Sequence, residues 1–508
     1  MKDFLRYNMV TMNDWLKYHP YEKPSQADDY YQKLCNQLLK ANINEPLLKD
    51  MNQLEYKELT CILVCWFEDV ISETNIWRSF TAEHKKMYGK YLPFYNTDND
   101  YYEDEINLQD IQFLIWHFFS MVENDIFISP YYPVFHSFAS KVYALFETEY
   151  ETAPPNQPFK KNLTIPDDRG FAETKKALYF LAINSYLNCL YARRILIKKY
   201  DKLNKSEHDN EHIEMLRMDM LFGVIIDNVS PILALRTNEQ LANIMGQNHP
   251  KYDLIKNISN RYAITCSIKN INKDHWELEH ISTSQRLIFE PETMSESMRK
   301  SQIKVNDFMF ANLVKWGDEW VLMGMMFTYP GEKNTNSRIE HEKHVFDPIE
   351  PKNEILKNHE ILFKELMEGS NLAYFKNTDD YDTFLNRINV LSYEKNNQGT
   401  PLPDDTSLKT NFGAEKMENL VVFFNPERGS ELMTLFSSFI KDLRNPFYEK
   451  GKVADIQTLI INKSVSPQFV KYLIYNKLID FDQNKEIDDI TIIENLDFLL
   501  RYYKTDYY

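Results

Sequence analysis

Glycine is scarce, at 12 of 508 residues. That argues against glycine-rich phosphate loops and large β-sandwiches, which need residues free to take positive φ in tight turns. Cysteine is nearly as rare. Five stand at positions 35, 61, 65, 189 and 266, and no pair has CxxC spacing. An odd number without a framework reads as reduced thiols packed as small core hydrophobes, and excludes a disulfide scaffold. Positive charge is short: 58 Lys and Arg face 75 Asp and Glu, for a net charge of −17. Non-specific nucleic-acid binding needs basic surface to displace counterions from phosphates, so nucleic acid is not an expected partner. No apolar run approaches the ~18 residues of a membrane span. The opening Met1-Lys-Asp-Phe-Leu-Arg-Tyr7 has no apolar stretch of signal-peptide length. These absences predict a cytoplasmic location, no membrane partner, no cofactor and no metal.

Apolar residues, by contrast, are plentiful: 43% of the chain is hydrophobic and 14% aromatic, well outside the composition of disordered chains. A chain this long exceeds one core and predicts several domains. The stretch from Arg261 to Tyr329 is the one long region that reads as β. Its runs 261–269, 275–281, 286–289, 307–314 and 319–329 are separated by short polar breaks, the pattern of antiparallel strands. Five strands of this length suffice for a small antiparallel β-barrel, SH3-like or OB-like. Before it, residues 1–245 show about seven helical patterns and no strand. Ser25 stands as a helix cap before Asp28 and Asp29, and Asn107 as a cap with Asp110 three residues on. The run Leu108–Val122 is apolar almost all round and predicts a central helix. A single helix is expected over 172–200.

The fold class is therefore α+β multidomain. An all-α N-terminal domain (1–245) precedes the barrel (246–331), a polar linker (332–352) and a mixed α/β C-terminal domain (353–508). In the last, Leu420–Phe424 reads as a strand running through Asn425-Pro-Glu-Arg-Gly429 into a helix over 430–443, and 490–502 as the closing helix.

Several stretches also carry a resemblance. Asp14-Trp-Leu-Lys-Tyr-His-Pro20, Cys65-Trp-Phe-Glu-Asp-Val70, Trp77-Arg-Ser-Phe-Thr-Ala82 and His84-Lys-Lys-Met-Tyr-Gly-Lys-Tyr-Leu-Pro-Phe-Tyr95 come in order. Tyr101–Asn107, Phe113–Trp116 and Asn425-Pro426 follow. In this the chain resembles an uncharacterised domain-of-unknown-function family of gut bacteria, of Bacteroidetes type. The resemblance implies a bacterial cytosolic protein and carries over no catalytic residue.

Candidate chemistry is sparse. His208 and His212 have the i,i+4 spacing of a zinc helix, but their surroundings are polar throughout, so a solvated helix face is expected. His341 and His344, at i,i+3, fall in the linker. Asn96–Asn107 has alternate oxygen ligands like a calcium loop, but Tyr101 and Asn107 hold the places of its glycine and glutamate. Asn425 and Arg428, at an expected strand-to-helix turn, could hold a phosphate-bearing ligand. The helix pair over 453–476 could read DNA; residues 452–480 carry four lysines against two aspartates. Between Ile255 and Pro330 nine basic residues balance nine acidic ones, which removes the usual drive for RNA or DNA at the barrel. Trp276, Trp316 and Trp320 are there to grip a peptide. The expectation is a binding or regulatory protein working through protein or peptide contacts. A phosphate-ligand enzyme or binder is the first alternative, and DNA binding the second.

Overall fold

Blocks of helix and strand follow one another along the chain. The computed structural model describes residues 9–41, 51–123, 125–166, 170–204, 210–294, 303–331, 352–396, 417–434, 436–480 and 489–508. The chain divides into two units. The first comprises Met1–Asp347, Asn495–Asp506 and Tyr508; the second comprises Pro348–Glu494 and Tyr507. His208, His341 and His344 lie outside the described residues, as does the side chain of His212.

Helices lead the first unit: α1 (Met12–Leu16), α2 (Gln26–Ala41), α3 (Gln53–Ser72), α4 (Ile76–Tyr88), α5 (Leu108–Val122) and α6 (Pro133–Glu149). After them come α7 (Gln157–Leu163), α8 (Phe171–Tyr179), α9 (Cys189–Asn204), α10 (Asn210–Ile226), α11 (Thr237–Met245) and α12 (Tyr252–Lys256). Helix α3 starts at a reciprocal cap. Asn52 Oδ1 accepts from the Leu54 and Glu55 amides, while Glu55 accepts from the Asn52 amide. Every residue from Leu59 to Asp69 is then buried, so the helix runs through the middle of the core. Helix α5 buries Ile111, Phe113, Leu114, Ile115 and Trp116, as its all-round apolar sequence predicts. All five cysteines are free and buried.

Two local expectations change. Asn107 precedes α5 but does not cap it. Its Oδ1 accepts from the Tyr102 amide (2.9 Å) and its Nδ2 donates to the Tyr102 carbonyl (2.9 Å) and to Asp110 (3.2 Å). It pins the acidic tyrosine-rich loop, which makes it a structural residue rather than a calcium ligand. The single helix expected over 172–200 is broken. Helix α8 passes into one turn of π-helix (Phe180–Asn184), and Ser185 is extended. Ser185 Oγ and Asn188 Nδ2 both donate to the Leu181 carbonyl, at 2.6 and 2.9 Å. Short polar side chains that bond nearby backbone end helices in this way.

A five-stranded sheet follows, from β1 (Tyr262–Ile271), β2 (Trp276–His280), β3 (Arg286–Phe289), β4 (Phe308–Trp316) and β5 (Glu319–Tyr329). Strand β1 pairs antiparallel with β2 and β4, β2 with β3, and β4 with β5. Strands β3 and β5 meet in parallel at Phe289 and Trp320. Each strand thus has two neighbours in the order β1-β2-β3-β5-β4. The inward side chains, among them Cys266, Ile268, Trp276, Leu278, Phe289 and Met309, form one buried cluster.

Helix α10 is tied to this sheet through Asp219. Its Oδ1 accepts from Arg261 Nη1 (2.9 Å), Asn312 Nδ2 (2.6 Å) and the Met325 amide (3.2 Å). Gly324 makes room for that carboxylate. At φ +157°, a Cβ there would stand 2.5 Å from Asp219 Oδ1 and 2.7 Å from Asn312 Cβ. Gly324→Ala is expected to lower stability by about 1–3 kcal/mol, read as a shift in the urea midpoint. An unchanged midpoint would remove Asp219 as the tie.

The second unit holds α13 (Lys352–Leu366), β6 (Leu372–Asn377), α14 (Thr378–Asn396), β7 (Glu418–Asn425), β8 (Gly429–Met433), α15 (Ile456–Ile461), α16 (Pro467–Tyr475) and α17 (Asp489–Glu494). Strands β6, β7 and β8 form an antiparallel sheet in that order. The helix expected over 430–443 is replaced by β8 and a short 3₁₀ turn at Ser437–Phe439. Gly429, at φ +89°, closes a hairpin in which Asn425 pairs with Gly429 and Val421 with Met433. The last helix, α18 (Leu496–Tyr503), belongs to the first unit, although the sequence groups it with 353–508.

Candidate functional site

The candidate site lies in the first unit and begins at α1. Thr11 and Asp14 form a capping box, and the chain turns back after Leu16, with the His19 amide bonded to the Leu16 carbonyl. This turn sends the His19 ring inward. Its Nδ1 stands 3.1 Å from the Trp15 carbonyl and so carries a proton and donates. Its Nε2 stands 2.7 Å from Glu68 Oε2 and 3.8 Å from Asp28 Oδ1. Glu68 projects from the penultimate turn of α3 and Asp28 from the first turn of α2. All three side chains are fully buried.

The carboxylates are held from every side. Asp28 Oδ1 accepts from Trp15 Nε1 and the Tyr21 hydroxyl, both at 3.0 Å, and Oδ2 accepts from the Ser25 amide. Asn156, in the capping position of α7, donates from Nδ2 to Glu68 Oε1 (2.8 Å) and the Tyr21 hydroxyl (2.7 Å). Burial pulls the His19 imidazole toward neutral. The charge and hydrogen bond of Glu68 and the charge of Asp28 outweigh it, so His19 sits above its ordinary value. We take the pair as imidazolium and carboxylate, because two carboxylates face one ring. The ligand atoms of His19, Asp28 and Glu68 lie within 4.8 Å of one another, a spacing that suits a divalent cation. Those same atoms are engaged with each other and with Trp15, Tyr21, Ser25 and Asn156. The cluster is a satisfied polar network joining the α1 turn, α2, α3 and α7.

A cavity of about 790 Å³ adjoins it. His19, Pro20 and Tyr21 contribute to one side, and Phe171, Phe180, Leu221 and Phe222 to the others. The π-helical turn supplies Phe180 and Asn184 to the wall, a feature frequent at functional sites. Rings connect wall to network: Phe180 meets Phe159 at 5.6 Å, and Phe159 meets His19 at 5.1 Å.

Lys175, on α8, is the chemically distinctive residue of the cavity. Its Nζ lies 4.2 Å above the Phe222 ring and donates to the Leu322 carbonyl at 3.3 Å. No carboxylate among the described residues forms an ion pair with it. Burial alone brings its amine down from the ordinary lysine value to about 8. A second cavity, of about 570 Å³, is lined by Glu73, Arg78, Asp104 and Lys160, and these pair off as Arg78–Asp104 (3.0 Å) and Lys160–Glu73 (2.9 Å).

The residues picked from sequence lie elsewhere. Trp276 is 5% exposed and sits in the sheet core against Phe289. Trp316 is buried edge-on against Phe171, behind the cavity wall rather than in its lining. Trp320 is half-buried against the sheet core and Tyr262. Trp276 is thus a sheet-core residue, because inward positions of a small sheet must be filled by large apolar groups, whereas Trp316 is buried on the outer face against α8. Asn425 is fully buried; its Nδ2 donates to Glu431 (2.7 Å) and its Oδ1 accepts from the Glu427 amide (3.0 Å). Arg428 lies 4.3 Å from the Tyr507 ring. With a strand after Gly429, the anion-holding helix start expected at this turn is missing. The 453–476 pair folds as α15 and α16, and Phe469 of α16 packs on Phe423 of β7.

Neither the His19 network nor Lys175 was singled out from sequence. A signal for the first was present: Glu68-Asp69 interrupts an apolar helix, and buried carboxylates demand partners. Lys175 carried no such signal.

The profile of a family described as "Protein of unknown function (DUF3843)" matches residues 10–299 and 334–505. No curated protein and no solved structure matches the chain. Among the described residues, no helix is long and apolar enough to cross a membrane.

Proposed function

We propose that this chain, which belongs to the DUF3843 family, is a binding protein whose cavity beside α8 takes a small molecule with a largely apolar body. The observation that carries the reading is Lys175: an amine with no carboxylate partner among the described residues, set among Phe171, Phe180 and Phe222 in a space of about 790 Å³. Cavities of about 300–1,000 Å³ with apolar walls and few polar groups are the usual form of small-ligand sites. An oxygen acceptor on the ligand would complete the amine's bonding. This keeps the expectation of a cytosolic binding or regulatory protein and moves the site from the tryptophans to the cavity. We also read the five-stranded sheet as a small SH3-like or OB-like barrel, a reading supported by the pairing that returns from β4 to β1.

The test uses 1-anilinonaphthalene-8-sulfonate, an apolar fluorophore with one anionic group. Met218 lines the cavity and is 52% exposed, so Met218→Trp fills the space without disturbing a core. The expected result is saturable binding to the native chain and at least tenfold weaker binding to the variant. Equal binding by both refutes the cavity as the site.

A further inference from the structure

We infer that Lys175 is a nucleophilic amine that captures a carbonyl-bearing ligand as an imine. The inference rests on the cavity being a small-molecule site and names the ligand class, an apolar aldehyde or ketone.

Three observations carry it. The amine faces a cavity large enough for a small molecule and bounded mainly by apolar side chains. Its neighbours are an aromatic face and one backbone carbonyl, and although Glu22 and Glu292 line the same cavity, no carboxylate among the described residues forms an ion pair with it. Asn184 lines the same cavity and offers an amide N–H to a carbonyl oxygen. A lysine in a desolvated apolar site is the usual form of an imine-forming amine. Burial holds Lys175 at about 8. At pH 7 about one such amine in ten is free, against about one in three thousand at the ordinary lysine value.

The step balances without an oxidant or reductant. An ammonium proton leaves to solvent, and the nitrogen lone pair attacks the carbonyl carbon. The C–N bond forms as the C=O π bond breaks, and a proton passes from nitrogen to oxygen to give a carbinolamine. The C–O bond then breaks, the hydroxyl departs with a proton as water, and the C=N bond forms. Imine and one water result from amine and carbonyl. The Phe222 face that now lies under the ammonium remains to stack on the bound carbonyl compound.

The experiment treats the full chain with cinnamaldehyde and sodium cyanoborohydride, which reduces an imine to a stable amine, and maps the adduct by peptide mass spectrometry. Labelling of Lys175 at least tenfold faster than of exposed Lys161 is expected. Lys175→Arg and Lys175→Met are expected to abolish that fast site. Labelling of Lys175 no faster than of Lys161 overturns the inference. Cinnamyl alcohol, which cannot form an imine, separates the two readings. If the alcohol displaces the fluorophore and Lys175 is not labelled preferentially, the imine fails and the cavity reading stands. If neither alcohol nor aldehyde displaces the fluorophore and Lys175 is not labelled preferentially, both fail.

Discussion

A chain ending at Glu494 is expected to lose the fold of its first unit. Helix α18 is the reason. It buries Leu496, Phe498, Leu499, Leu500 and Tyr502. Phe498 meets Phe94 and His84, each at 5.6 Å, and Tyr502 meets Trp116 at 4.6 Å. Polar bonds fix the helix at both ends. Asn495 Oδ1 accepts from Lys90 (2.8 Å) and the Phe94 amide (3.2 Å), and Asp497 accepts from the Tyr88 hydroxyl (2.6 Å). At the far end the Tyr502 hydroxyl donates to His117 Nδ1 at 2.7 Å, while His117 Nε2 donates to the Leu187 carbonyl at 3.0 Å. Burial pushes His117 down to about 4, so it stays neutral and able to accept at neutral pH. At about 1.5–3 kcal/mol for each buried side chain, the five contribute about 8–15 kcal/mol. That equals the whole stability of a typical domain, about 5–15 kcal/mol. Circular dichroism should show the helical signal of the first unit reduced and its cooperative melting gone. Retained melting within a few degrees of the intact chain would refute the role given to α18. Tyr502→Phe isolates one bond of this set. It leaves His117 Nδ1 without that donor and should cost about 1–3 kcal/mol.

The second large effect is expected at the buried network. Glu68→Ala removes the carboxylate that faces His19 and the acceptor of Asn156 Nδ2 in one step. Breaking a buried ion pair from one side costs about 3–5 kcal/mol, because the remaining group is left desolvated without its partner. The loss should appear as a lower urea midpoint with an unchanged slope. His19→Phe should also destabilise. The double variant should cost clearly less than the two single costs added, because the unpaired group created by either single change is gone. Asp28 keeps its bonds from Trp15, Tyr21 and Ser25 in all three variants. Additive costs, or a Glu68→Ala cost below about 1 kcal/mol, would show that the pair is not coupled.

How far the sequence could be read depended on the distance over which residues act. Alternation over 262–329 arises from the two-residue repeat of a strand with one buried face, and that repeat is local. The same holds for the helices at 53–72 and 108–122, whose apolar residues and flanking Asn52 and Glu73 lie within a few turns. Residues 429–433 show the limit. Gly-Ser-Glu-Leu-Met has no strand signature of its own, and it becomes β8 because β7 offers a paired edge. The tryptophans of the sheet were visible as a cluster, but whether each indole faced a ligand or the core depended on which side of the sheet it occupied.

The candidate site belongs to the longer range. His19 stands in Asp14–Pro20 and Glu68 in Cys65–Val70, two of the stretches that carried the family resemblance, yet 49 residues separate them. Asn156 lies a further 88 residues beyond Glu68. No spacing rule spans such gaps, since contact between them depends on the packing of α2, α3 and α7. Lys175 is plainer still: in sequence it is one of two adjacent lysines on a helix, and its neighbour Lys176 remains exposed. By itself, then, the sequence determined where most strands and helices form, since those follow from periodicity, caps and turns a few residues long; β8 and the break after α8 are the exceptions. The tertiary structure alone decided which polar groups lose water, because desolvation depends on what other segments bring against a side chain. In this protein that difference separates Lys175 from Lys176, and His19 from an ordinary surface histidine.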